Sequence, residues 1–337
     1  MFMKFKPRLG LLAAALALSA QTATADPAAQ PAGEAAAREA LGKKEGDVDQ
    51  TELLKSTLTS VDKSYSLIKR GNYLLNYNLN YAYIGQETID TDGATLFRIT
   101  NTNSHTITNS FSLDYGLRND LTVNLTLPIV TKVVQESVQN LSGTSNMIGD
   151  ISLGARYQPY GVQRDLPSLT LTAGLRLPTG TSPFEVVSGS GLSTGSGGFA
   201  LSAGVSVNKI VDPVALFGSM NVTYNLPISN LEQHLPGGSV LTRVKPGTTF
   251  GFGMGFAYAL SYAITTSVSF QESISAGTRL SFENGLERVT GTQTSGMLNL
   301  GMGYRVSPKT TINTSVGIGL TANSPNFTLD FSMPLSF

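Results

Sequence analysis

From residue 72 to the end of the chain, hydrophobic and polar residues alternate with a period of two. Tyr73, Leu75 and Tyr77, for example, share one face of the first such segment, and Asn76 and Asn78 share the other. This alternation predicts β-strands with unlike faces. Twelve segments of strand length carry the pattern: 72–85, 104–117, 121–133, 147–159, 167–178, 199–210, 214–227, 247–260, 263–275, 293–306, 310–320 and 326–337.

Each segment is long enough to cross a bilayer as a tilted strand of about 9–11 residues. The connections alternate in length, which is typical of a bacterial barrel with short periplasmic turns and longer outer loops. The predicted outer loops are 86–103, 134–146, 179–198, 228–246 and 276–292. The alternative, a large soluble all-β protein, is disfavoured by polar inward faces on strand after strand. We therefore predict an all-β fold: a 12-stranded antiparallel transmembrane β-barrel over residues 72–337.

Both ends of the chain favour the bacterial outer membrane as its location. Residues 1–25 have the layout of a secretory signal: basic residues, an apolar run and a small-residue cleavage site. The segment 326–337 aligns Phe327 and Phe331 on one face and ends on Phe337, as expected of a last strand read by the barrel assembly machinery. The expected surroundings of the mature chain are outer-membrane lipid.

Residues 26–71 are more charged than the rest, and we expect them to lie in the periplasm as a tether followed by a short helix. The helix, about 50–69, has an apolar stripe that repeats every three to four residues. The stripe consists of Leu54, Leu58, Val61, Tyr65 and Ile68. Such a face needs a partner, so the segment is interpreted as a plug or gate of the barrel; self-association into a homo-oligomer is the alternative.

The inward faces of the predicted strands are small and polar, which indicates a water-filled lumen rather than a packed core. One wall is rich in glycine, at Gly251, Gly253, Gly255, Gly301, Gly303, Gly317 and Gly319. Two interpretations stay open: space left for a plug, or relief of crowding in a narrow barrel. Charged inward positions either tune solute selectivity or pair, across the lumen or with the N-terminal segment. They are Asp114, Arg156, Arg176, Arg305 and Asp330.

Composition limits the chemistry. The chain has no cysteine and only two histidines, His105 and His234, without a clustered set of metal ligands. We therefore expect no metal, no cofactor and no enzymatic activity. Without the predicted signal, 20 basic residues face 23 acidic ones. No basic patch follows a phosphate backbone, so nucleic acid is not an expected partner.

The sequence GLRLPTG, followed after a Gly/Ser-rich loop by GGFALSAGVSV and NKIVDPVALFGSMNVTYNLP, resembles the outer-membrane family named for meta-pathway phenol-degradation transporters. The layout of a helical segment before a 12-stranded barrel is also similar to the export channel of the bacterial functional-amyloid system. The first resemblance implies uptake of small molecules, including aromatic or apolar ones. The second implies export of an unfolded polypeptide such as an amyloid subunit.

Overall fold

The computed structural model describes residues 67–92, 96–136, 142–161, 166–184, 192–211, 214–234, 240–261, 263–307 and 310–335. The predicted signal peptide, the tether and most of the gate helix, including Leu54, Leu58, Val61 and Tyr65, lie outside these ranges, as does Phe337. Among the described residues, no helix has the length and hydropathy of a membrane span.

Within the described residues, strands dominate the fold. Their bounds are β1 Tyr73–Asp92, β2 Leu96–Arg118, β3 Leu121–Glu136, β4 Ser142–Ile148, β5 Ser152–Tyr157, β6 Ser168–Arg176, β7 Ala200–Val211, β8 Val214–Asn225, β9 Ile228–His234, β10 Val240–Lys245, β11 Thr249–Ala259, β12 Ile264–Ser275, β13 Arg279–Phe282, β14 Glu287–Val289, β15 Gln293–Arg305, β16 Thr311–Gly319 and β17 Phe327–Leu335.

Thirteen of these strands form one antiparallel sheet. The sheet closes into a barrel because β1 pairs with the last strand, β17, and β2 pairs with β3. The strands β4 and β5 both pair with β3, one above the other, and so share a single position in the wall. The barrel therefore has twelve wall positions. This confirms the predicted 12-stranded antiparallel barrel.

Side chains alternate between the barrel interior and its outside. On β8, Asn221 lines an internal cavity, whereas Val222 is 44% exposed on the outer surface. Large apolar side chains such as Met220, Met254 and Leu300 are exposed in the same way, each by about half of its surface. An apolar exterior around a polar interior is the reverse of a soluble core, and it fits a wall surrounded by lipid.

The prediction that 86–103 is a loop is wrong. The strands β1 and β2 continue as one hairpin, pairing from Tyr73 with Tyr115 up to Asp92 with Leu96. The predicted strand lengths were based on bilayer thickness. A hairpin that extends beyond the membrane keeps its backbone hydrogen bonds, because each N–H and C=O group still needs a partner.

The predicted loops 228–246 and 276–292 also contain strands. They supply β9, β10, β13 and β14, which form a separate four-stranded sheet in the order β14-β13-β10-β9. Leu241, Val244 and Phe282 are buried on this sheet, and Phe184 from the loop after β6 packs against them. This small apolar cluster explains why the two hairpins pair with each other.

The predicted strand 147–159 is interrupted, and the predicted loop 134–146 is partly strand. The break at 149–151 lies opposite Pro128 of β3. Pro128 has no N–H to donate to the ladder, but its carbonyl oxygen accepts a hydrogen bond from Gly149 N at 2.9 Å. The wall position is therefore divided into β4 and β5.

Candidate functional site

The largest described cavity lies inside the barrel and has a volume of about 430 Å³. Most side chains that line it carry amide or hydroxyl groups, including Asn78, Asn208, Ser267, Gln271 and Asn299. Two further internal cavities have volumes of about 370 and 380 Å³. The interior thus offers a succession of hydrogen-bonding surfaces to a solute.

The structure brings two of the predicted charged residues together. Arg156 Nη2 lies 2.6 Å from Asp114 Oδ1, and both side chains are almost fully buried, with 10% and 7% of their surface exposed. Asn76 Nδ2 donates to the second oxygen of Asp114 at 3.1 Å. The pair spans β3, because Asp114 lies on β2 and Arg156 on β5. It forms a fixed neutral bridge on the inner wall.

The other predicted charges lie apart from this pair. Arg176 donates to Asn225 at 3.1 Å, at the long-loop end of the barrel. Asp330 lines the largest cavity and accepts a hydrogen bond from Asn80 at 2.7 Å. Arg305 lies at the opposite, short-turn end of β15. The five residues do not form one ring of charge.

The glycine-rich wall is occupied by neighbouring side chains. A Cβ on Gly301 would collide with the Ser267 hydroxyl, and one on Gly251 with the Asn221 amide oxygen. Gly317 faces Thr328 and Asn299 in the same way. Gly303 is buried as well. These contacts favour relief of crowding over empty space as the reason for the glycines.

The segment before β1 lies on the inner wall at the short-turn end of the barrel. The chain turns at Gly71, where φ is +79° and Asn72 N donates to Lys69 O. Ile68 N then donates to Thr122 Oγ1 at 2.9 Å, and Thr122 is fully buried. A Cβ on Gly116 would collide with the carbonyl oxygens of Ile68 and Lys69. Ile68, the one stripe residue that the structure describes, therefore sits at the mouth of the lumen.

The LPTG sequence after β6 closes the wall at the break between β4 and β5. Thr179 Oγ1 accepts from Ile151 N at 2.9 Å and donates to Gly149 O at 2.8 Å. Its hydroxyl thus takes over the pairing that a strand ladder would supply. Gly180 packs backbone to backbone against Gly195, where neither position has room for a Cβ.

Asp150 ties the loop after β6 to the same break, a role that sequence reasoning missed. Its carboxylate accepts hydrogen bonds from Gly180 N at 3.1 Å, Ser196 N at 2.7 Å and Ser196 Oγ at 2.6 Å. The available signal was a Gly-Asp pair inside a predicted strand, since both residues are disfavoured there.

Replacing Asp150 with asparagine should destabilise the protein by about 1–3 kcal/mol, because the amide leaves a buried N–H without an acceptor. The free energy of unfolding can be measured in urea from the heat-modifiable gel band. Asp120→Asn is the control, since Asp120 sits on an exposed turn beside Arg118, whose hydrogen bond holds the pKa of Asp120 below its usual value. Equal losses in both variants would contradict the role given to Asp150.

A comparison with protein families connects this barrel to known sequences. The profile of the family described as "Putative MetA-pathway of phenol degradation" matches residues 85–337, which is more than half of the chain. The chain belongs to this family. The matched range includes the LPTG sequence and Asp150, which together hold the wall at the break between β4 and β5.

Solved structures share the fold. The crystal structure of an outer membrane channel from Pseudomonas putida F1 aligns with a TM-score of 0.60 and 14% identity, covering 81% of this chain and 98% of that chain. The translocator domain of the autotransporter NalP from Neisseria meningitidis aligns with a TM-score of 0.50 and 15% identity, covering 90% and 98%. The closed barrel, its apolar exterior and the phenol-degradation family place the protein in the bacterial outer membrane.

Proposed function

We propose that the protein is a channel for uptake of small molecules, among them aromatic or apolar ones, and that the segment before β1 gates it. The observation that carries the proposal is the contact of Ile68 with Thr122, which puts the C-terminal end of that segment inside the lumen mouth. The family description supports an aromatic solute. Internal cavities of about 370–430 Å³ match the size range of small-molecule sites.

The contact between this segment and the inner wall is weak enough to break reversibly. A backbone-to-hydroxyl hydrogen bond contributes about 0.5–1.5 kcal/mol net, a factor of roughly ten in an equilibrium. Arg70 N donates a second such bond, to Asn119 Oδ1 at 3.1 Å. Gly71 N donates to Gly116 O at 2.8 Å, where the segment joins β1. The segment can therefore leave the wall without breaking the barrel, which is what a gate requires.

Removal of residues 26–70 should raise single-channel conductance or open probability in planar bilayers. Two point variants in the full chain should shift open probability in the same direction, by several-fold. Thr122→Val removes the acceptor for Ile68 N, and Gly116→Ala displaces the two carbonyl groups. Loss of one hydrogen bond is enough for such a shift.

Matched controls test whether the effect is specific to the mouth. Thr126→Val removes a hydroxyl that pairs with Ser112 and does not touch the segment. Gly218→Ala adds a methyl group where the nearest atom is 3.7 Å away. Both should conduct as the parent does. Unchanged conductance after removal of 26–70 would contradict the gate and favour self-association of that segment.

Export of an unfolded polypeptide is the alternative. No contact among the described residues favours it over uptake. A channel that conducts ions but shows no flux or block with small solutes, and is blocked by an extended polypeptide, would support export instead.

A further inference from the structure

Phe217 differs from the other inward-facing strand residues. It is the single aromatic side chain at the inward positions of the barrel strands over the described ranges, and it lines the cavity of about 430 Å³. Its neighbours on the same face include Asn208 across the β7–β8 ladder and Ser219 two residues along β8. A ring in such surroundings is an apolar surface on a polar wall.

The ring of Phe217 packs against Gly255, where any larger residue would collide with it. A Cβ on Gly255, the partner of Phe217 on β11, would lie 2.5 Å from Cζ and 2.8 Å from Cε2 of the ring. The ring therefore lies along the wall over Gly255 rather than across the lumen. In this position it leaves the cavity open and presents an apolar surface to it.

The two sides of the cavity differ in chemistry. On one side the ring of Phe217 supplies an apolar surface. Ala215 and Ala257 form a small apolar cluster with Ile210, but both are fully buried and offer no surface to a solute. Opposite, the same cavity is lined by Asn78, Asp330 and Ser332, whose oxygen and amide groups face the space. One side of the cavity thus suits a ring, and the other suits a hydroxyl group.

We propose that Phe217 determines specificity by contacting the ring of a hydroxylated single-ring aromatic solute, whose hydroxyl groups pair with the opposite wall. The proposal rests on the proposed uptake function and names its solute class. Aromatic pairs gain from offset or edge-to-face contact beyond the area they bury. Catechol should therefore bind up to about tenfold more tightly than cyclohexane-1,2-diol, which carries the same hydroxyl groups on a saturated ring.

The chain contains no tryptophan, so Phe217→Trp places the single indole of the protein in the wall of the lumen. In the full-length mature protein, indole emission is followed at its red edge while either diol is added. We expect catechol to change the emission at up to tenfold lower concentration than cyclohexane-1,2-diol. Phe250→Trp is the control, because Phe250 lies on the outward face of β11 with 41% of its surface exposed, and it reports solute that merely dissolves in lipid or detergent.

A second variant keeps the test valid if Phe217→Trp does not assemble. Block of the ion current by the two diols is then compared between the parent and Phe217→Leu, which keeps an apolar side chain and removes the ring. The preference for catechol should disappear. Equal affinity for both diols in the parent, or a preference that survives in Phe217→Leu, would overturn the proposal.

The two experiments also separate this proposal from the proposed function. Binding measured by fluorescence does not need an open pore, so preferential binding of catechol without any conductance would contradict the channel and leave the solute site in place. Conductance without that preference would contradict the role of Phe217 and leave the channel in place.

Discussion

Replacing Arg156 with alanine is expected to destabilise the barrel by about 3–5 kcal/mol, because it leaves a buried carboxylate without its cation. Asp114 would keep the amide of Asn76 at 3.1 Å but lose the guanidinium at 2.6 Å. Only 7% of the Asp114 side chain is exposed. Hydration of the carboxylate therefore cannot compensate for the lost guanidinium. The free energy of unfolding in urea, followed by the heat-modifiable band, measures the loss.

Two comparisons show whether the cost comes from the uncompensated charge. Arg118→Ala breaks a pair whose side chains are 61% and 39% exposed, so its effect should be far smaller. The double variant Asp114→Asn with Arg156→Met removes both charges and should recover most of the lost stability. If the double variant is as unstable as Arg156→Ala, packing rather than charge explains the loss.

The barrel was predictable because lipid and water impose opposite demands on the two faces of every wall strand. That requirement makes the period of two visible on β8, where Val222 faces out and Asn221 faces in. A strand that crosses the bilayer also has a minimum length. Together, the alternation and the minimum length predict twelve strands in the wall.

The predicted boundaries are wrong where the bilayer no longer constrains the chain. Outside the membrane a strand needs only a partner, so the pairing of β10 with β13 had no signal in strand length. The break at Asp150 depends on Pro128, which lies opposite in space but more than twenty residues away in sequence. Such positions become visible only when register is known.

In the candidate site, too, the sequence predicts which residues face inward but not which of them make contact. Parity placed Asp114, Arg156 and Asp330 on inward faces, yet the pairing of Asp114 with Arg156 across β3 could not be read from spacing. Phe217 packs against Gly255 because β8 and β11 pair, although the strands β9 and β10 lie between them in the sequence. Contacts between distant segments decide which inward residues form one surface.

The outer face should reject charge most strongly near mid-strand. Leu300 lies near the middle of β15, is 49% exposed, and is flanked by Val268 and Val316 on the neighbouring strands. Arginine at the midplane of the lipid face of a barrel costs about 2–4 kcal/mol. Leu300→Arg should therefore lower the free energy of unfolding in phospholipid vesicles by about that amount.

The adjacent residue provides the matched control. Asn299 lines the largest cavity from the inward face of the same strand, so Asn299→Arg places its guanidinium in water among hydroxyl and amide groups. Its cost should be well below that of Leu300→Arg, since solvent in the lumen hydrates the charge. Equal costs would mean that the register of β15 is shifted by one residue, because a single shift exchanges its two faces.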